Sequence, residues 1–194
     1  MKRFILGSQS PRRHEILSYF SLPFEQISPV FDEEEVPFRG DPSAYVIEIA
    51  EGKARNLAQR LPESLILTAD TTVYRNGKIY GKPANAEDAF NALSELAGKW
   101  HSVFTGVCLY SDGNLYHQAE ETRVLFNSLT SEEIRHYHQK LHWSDKAGGY
   151  AVQMAGGLAI NKIDGCYYNV MGLPINSVRH LLLKAGIDLW DYIK

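Results

Sequence analysis

Two cysteines in 194 residues, Cys108 and Cys166, stand far apart and match no metal-ligand spacing. So small a supply excludes a disulfide framework and suits a reducing compartment. No run approaches the roughly 18 apolar residues that a membrane helix needs. Met1-Lys2-Arg3-Phe4-Ile5-Leu6 turns polar at Ser8, too soon for the apolar stretch of a signal peptide. An excess of positive charge is missing as well: 20 Lys and Arg against 23 Asp and Glu give a formal net charge of −3. That balance leaves no broad basic face for a nucleic-acid duplex, although it permits a local pocket for a small anion. The expectation is a cytoplasmic chain with neither a membrane nor a nucleic acid among its partners. Internal repeats and low-complexity tracts are absent. There is no Gly-x-Gly-x-x-Gly turn, no Gly-x-Ser-x-Gly elbow and no Walker A loop, since Gly77-Lys78-Ile79-Tyr80-Gly81-Lys82-Pro83 has neither the spacing nor the Ser or Thr.

What is present is ordinary globular material, 44% hydrophobic and 22% charged, enough to bury a core in one folding unit spanning residues 1–194. Phe4-Ile5-Leu6 predicts a short buried strand. Ser10-Pro11 predicts a capped helix with Ile16, Leu17 and Phe20 on one face. The acidic run Asp32-Glu33-Glu34-Glu35 lies in a loop that ends at Gly40. Asp41-Pro42 opens a second helix, with Val46, Ile49, Ala50 and Leu57 at helical spacing. A strand from Leu65 through Asp70 to Tyr74 meets a hairpin at Asn76-Gly77. Asn85 caps a third helix with a stripe of Ala86, Ala89, Phe90, Leu93 and Leu96, and Gly98 stops it. Two strands flank Asp112-Gly113, and Thr130-Ser131-Glu132-Glu133 is a capping box. A glycine-rich passage, Gly148 to Gly157, precedes a hairpin expected at Asp164-Gly165, and Pro174 to Lys184 forms a last helix. Hairpins mixed with helices imply an α/β fold with a mixed sheet.

Four segments carry candidate chemistry. In Gly7-Ser8-Gln9-Ser10-Pro11-Arg12-Arg13 a strand ends in a small-residue turn and a helix begins with two arginines, an arrangement that binds anions through free N–H groups and guanidinium forks; a capped surface helix with solvated arginines reads equally well. Asp70, amid strand formers, needs a partner, a metal or a cleft beside it; a strand-end aspartate bonded to a turn is the plainer alternative. Lys53 and Lys82 mean little alone, although Gly81 and Pro83 fix the backbone around Lys82. The acidic run is either a solvated loop or a source of one carboxylate for Mg²⁺ or Mn²⁺. His138 and His142 share a helical spacing without a third ligand.

Taken in order, these pieces resemble the Maf family of nucleoside triphosphate pyrophosphatases. The match runs through Ser8-Gln9-Ser10-Pro11-Arg12-Arg13, Asp32-Glu33-Glu34, Lys53-Ala54, Ala69-Asp70-Thr71, Gly81-Lys82-Pro83, Asp145-Lys146-Ala147-Gly148, Gln153 and Val170-Met171-Gly172-Leu173-Pro174. The resemblance implies an elongated mixed sheet flanked by helices, with two lobes around a central cleft, as in Maf and Ham1-like proteins. It implies cleavage of a nucleoside triphosphate between its α and β phosphates, dependence on Mg²⁺ or Mn²⁺, and a homodimer as one assembly. By the same resemblance, Ser8, Arg13, Lys53 and Lys82 face phosphates, Glu33 and Asp70 hold metal, and Asp70 is also the proton acceptor. Arg12, Thr71 and Gln153 match the branch that acts on dTTP and UTP, with modified pyrimidine triphosphates as further substrates. The branch acting on 7-methylguanosine triphosphate carries Trp, Gln and Glu there, a sensible contrast because a Gln amide both donates and accepts whereas Glu only accepts. A nucleotide-binding regulator of septum formation without turnover is the alternative of a different class. Gly52, where relatives often carry Glu or Gln, and Gly149-Tyr150-Ala151-Val152, in place of Ala-Tyr-Gly-Ile, depart from the pattern.

Overall fold

A computed structural model describes residues 2–194. Seven strands form one mixed sheet in the order β2-β1-β3-β5-β6-β7, with β4 paired to β3 off that path. The strands are β1 (Phe4–Gly7), β2 (Glu25–Gln26), β3 (Leu65–Arg75), β4 (Lys78–Tyr80), β5 (Trp100–Ser111), β6 (Asn114–Phe126) and β7 (Ile160–Asp164). β1 lies parallel to β2 and β3, and every other pairing is antiparallel. Both hairpins turn on residues with positive φ, Asn76-Gly77 and Asp112-Gly113, the backbone that a two-residue turn between right-twisted strands requires.

The helices start where the capping residues predict. Helix α1 (Pro11–Leu17) is capped by Ser10, α2 (Pro42–Ala58) by Asp41, α3 (Ala86–Leu96) by Asn85, and α4 (Ser131–Lys140) by the full Thr130–Glu133 box. Two short helices follow β7, α5 (Tyr167–Met171) and α6 (Ile175–Leu183), and a 3-10 turn at Leu189–Tyr192 comes last. Three expectations fail locally. Helix α1 stops at Leu17: the chain tightens into turns in which Tyr19 N–H donates to Ile16 O and Phe20 N–H to Leu17 O, and Phe20 instead bridges to Ile193. Helix α4 ends before His142, so His138 and His142 share no helical face; His138 bonds the Gly149 carbonyl and His142 contacts Ser144. No hairpin forms at Asp164-Gly165. There Gly165, at φ +128°, packs so close to Thr122 that a Cβ would lie 2.9 Å from its hydroxyl, and the chain turns into α5.

The long strands β3, β5 and β6 run through two hydrophobic clusters. One gathers Leu6, Ile16, Leu67, Leu109, Val178 and Leu182 around β1, α1 and α6. The other gathers Val73, Leu93, Val124, Phe126, Tyr137 and Tyr150 around α3 and α4. These are the two lobes, threaded on continuous strands.

Against the second cluster packs His101, 3% exposed, edge-on to Phe126 and Tyr150, with its Nε2 2.8 Å from the Tyr150 hydroxyl. Burial pulls the His101 pKa down from 6.5 to about 4. The unfolded chain therefore takes up a proton near pH 6.5 that native His101 refuses until about pH 4. Stability should be unaffected by this residue above pH 6.5, fall as pH drops through that window, and level off below it, a loss on the order of 3 kcal/mol. Thermal melts of the parent chain and of His101→Phe across pH 4–8 check this: the variant should lack that part of the slope.

Candidate active-site cleft

The cleft sits where the sheet has a gap. Pairing of β3 with β1 stops at Gly7 opposite Thr68, and pairing on the same edge resumes with β4 at Val73 opposite Tyr80. Between them, residues 69–72 keep β5 on one side and leave the other edge open. A cavity of about 530 Å³ opens there. Side chains alternate along a strand, so Asp70 reaches the α2 side of the sheet and Thr71 the opposite side.

Helix α2 reaches Asp70 because Gly106 lies opposite it on β5. A Cβ at Gly106 would stand 2.5 Å from the Val46 carbonyl oxygen, so only glycine lets the helix rest directly on the strand. Two turns after Val46 comes Lys53, on the same buried stripe as Ile49, Ala50 and Leu57. Its ammonium lies 2.8 Å from Asp70 Oδ1, 2.7 Å from Glu33 Oε1 and 3.4 Å from the Ala69 carbonyl. Lys82, 59% exposed, stands 3.6 Å from Glu33 Oε2 at the rim. Burial works to raise the Glu33 pKa, but the Lys53 charge and hydrogen bond, with Lys82 and Arg13 behind them, hold it below the ordinary carboxylate value. Tyr45 moves the other way, raised first by burial and then by Asp70 and Glu33. Gly106→Ala should cost about 1–3 kcal/mol and lower activity as α2 lifts Lys53 from Asp70; melting temperature and turnover read the two effects.

Opposite the acidic pair, Arg13 is tied into the chain rather than solvated. Its Nε donates to Gly172 O at 2.8 Å, Nη1 to Ala69 O at 2.8 Å and to Ser8 Oγ at 3.3 Å, and Nη2 to Thr71 Oγ1 at 3.0 Å. Four of a guanidinium's five donors are thus engaged. Burial draws the Arg13 pKa below the usual arginine value while Asp70 and Glu33 oppose the shift, and the group stays cationic. Ser8 is buried, and its hydroxyl also accepts from the Ser10 N–H. Thr105 gives its hydroxyl hydrogen to Asn169 O, so Thr71 donates to Thr105 while accepting from Arg13, which leaves it one acceptor site.

Arg12 crosses the cleft mouth to Asp145, with Nη1 2.6 Å from Oδ2 and Nη2 3.0 Å from its carbonyl. Lys146 takes the other carboxylate oxygen at 2.5 Å. Burial would raise the Asp145 pKa, but hydrogen bonds from Lys146 and Arg12 hold it below its ordinary value. Gln153 lines the same cavity just ahead of a 3-10 segment at Met154–Ala159, and its side chain makes no hydrogen bond among the described residues. All the sequence-derived site residues therefore meet around one cavity. Tyr45, Asp145 and Lys146 line it too, without a role that follows from the sequence alone; the Asp145-Lys146 motif is visible there, but nothing along the chain joins it to Arg12.

A family model described as "Maf-like protein" matches residues 3–185. The chain belongs to the Maf family. This Maf chain is 47% identical over 192 residues to the dTTP/UTP pyrophosphatase of Chlamydia caviae, covering 98% of each. It is 48% identical to the dTTP/UTP pyrophosphatase of Chlamydia felis, again covering 98% of each, and 42% identical to that of Clostridium perfringens strain SM101, covering 96% of this chain and 99% of that protein. In the Maf chain no helix among the described residues is long and apolar enough to cross a membrane. The Gly52 departure has a local reason: the Phe31 ring lies where its Cβ would be, at 2.4 Å.

Proposed function

We propose that this Maf chain hydrolyses dTTP and UTP, and modified pyrimidine triphosphates, to the nucleoside monophosphate and pyrophosphate. The observation that carries the reading is the Asp70–Lys53–Glu33 cluster at the open edge of β3, with Arg13 and Lys82 beside it. A triphosphate is a concentrated anion, and cations fixed around it stabilise charge that grows on the leaving pyrophosphate. The attacking water gives its proton to Asp70, the bond between the α and β phosphates breaks, and pyrophosphate leaves with the electron pair. Relatives named for the same reaction, matched over nearly their whole length, support the substrate class.

The donor set fits a divalent metal that arrives with its substrate. Among the described residues no group of three or more acidic, His or Cys side chains forms a metal cage. Mg²⁺ does not need one, because it binds through one or two carboxylates together with substrate phosphates and waters. Lys53 occupies one oxygen each of Asp70 and Glu33; the second Asp70 oxygen would hold the ion, together with Glu33 Oε2 once Lys82, 3.6 Å from it, turns to a substrate phosphate. When bound, Mg²⁺ or Mn²⁺ supplies charge neutralisation and orientation of water.

On the base side, Gln153 offers both a donor and an acceptor to a uracil or thymine edge, with Arg12 and Thr71 completing the reader. A panel of dTTP, UTP and 7-methylguanosine triphosphate, run with Mg²⁺ and with Mn²⁺ and resolving all products, tests the reading. Monophosphate plus pyrophosphate from dTTP and UTP is expected. Diphosphate plus phosphate, a preference for the methylated purine, or binding without turnover would overturn it.

A further inference from the structure

Three consecutive residues just before Gln153 are each held by a different side chain. The His138 Nε2–H donates to the Gly149 carbonyl at 3.1 Å. The Tyr150 hydroxyl meets His101 Nε2 at 2.8 Å. The Ala151 N–H donates to the Tyr137 hydroxyl at 3.1 Å. Tyr137 is 9% exposed, and its hydroxyl oxygen also lies 3.4 Å from the carbonyl oxygens of Ala151 and Gly156. The segment from Ala151 to Gly156 therefore folds around one phenolic oxygen. Gly156 permits it, since a Cβ there would stand 2.5 Å from Ala151 O. Gln153 projects from this loop with no side-chain bond to steer it among the described residues, so the backbone alone aims its amide at the cavity.

We propose that Tyr137 is a positioning residue for base selection, its hydroxyl fixing the loop from which Gln153 reads the pyrimidine. The inference rests on the pyrimidine reading above. Loss of the hydroxyl frees the Ala151 N–H and lets the loop drift, and an amide that must donate and accept at one edge tolerates little drift. Among the described residues Tyr137 makes no hydrogen bond to the cations proposed for the phosphates, Arg13, Lys53 and Lys82.

Tyr137→Phe should lower the ratio of kcat/KM for dTTP over dGTP by about tenfold, equivalent to about 1.4 kcal/mol. The change should fall mainly in KM for dTTP, with kcat altered far less. Gln153→Ala should lose the same discrimination, and the double variant should be no worse than Gln153→Ala alone, because the two act as one unit. Should Tyr137→Phe fail to fold, Gly156→Ala presses on the same loop from Ala151 and should relax the ratio alike. An unchanged ratio, an equal loss for every nucleotide, or additive effects in the double variant would overturn the inference while leaving the pyrimidine reading intact. If the parent chain turns over neither dTTP nor UTP, the pyrimidine reading falls, and this inference with it.

Discussion

Asp70→Asn should cut the rate of pyrophosphate release from dTTP by about 10²–10⁴-fold, the usual contribution of a positioned general base. The amide has the size of the carboxylate and can still accept from Lys53 Nζ, which stands 2.8 Å from Oδ1 and keeps Glu33 at 2.7 Å as its charged partner. The fold should therefore survive, with a melting temperature close to the parent's. Binding should survive too, because the change removes a negative charge that faces a polyanion. The expected pattern is a collapse of kcat with KM unchanged or lower, read in single-turnover assays with the metal saturating. A variant that stays folded and turns over dTTP at the parent's rate would remove Asp70 from the reaction.

Lys53→Met should be the most destabilising single change at the site. The lysine side chain is 6% exposed and is shared by two carboxylates, one of them on the 11%-exposed Asp70. Methionine fills the same space without the charge and leaves Asp70 and Glu33 facing each other. Breaking a buried ion pair from one side costs about 3–5 kcal/mol. The pH dependence identifies the cause. In the parent, the folded-state pKa of Glu33 is depressed, so its contribution is present above the ordinary carboxylate value and lost as pH falls through the lower folded value. Without Lys53 the depression should become an elevation. The gap in melting temperature between parent and variant should thus be small in acid and widest near neutrality. A gap of equal size at every pH would point to lost packing instead.

Much of this arrangement was legible along the chain because it is local. Capping residues fixed the starts of α1 to α4, and the two positive-φ hairpins were readable from Asn76-Gly77 and Asp112-Gly113. Even the burial of Lys53 had a signal. Val46, Ile49, Ala50 and Leu57 trace a helical stripe with a vacancy at 53, and a lysine in that vacancy must find a counter-charge. What could not be read depends on contacts between distant residues. Gly165 looks like a hairpin glycine until Thr122 is seen against it, and the seat of α2 on Gly106 depends on strand register. The Arg12–Asp145 pair joins residues 133 positions apart. Tyr137 resembled any other apolar-face aromatic, because a hydroxyl that organises a remote loop leaves no periodic trace.

The interruption in the sheet has a further consequence for solubility. An unpaired strand edge is a template on which another chain's strand can add. At residues 69–72, Arg13 and Lys53 both donate to the Ala69 carbonyl, putting cationic side chains where a neighbour's N–H would dock. The cations proposed to grip phosphate would thereby also cap this edge, so a chain stripped of them is expected to lose turnover and gain a tendency to aggregate together.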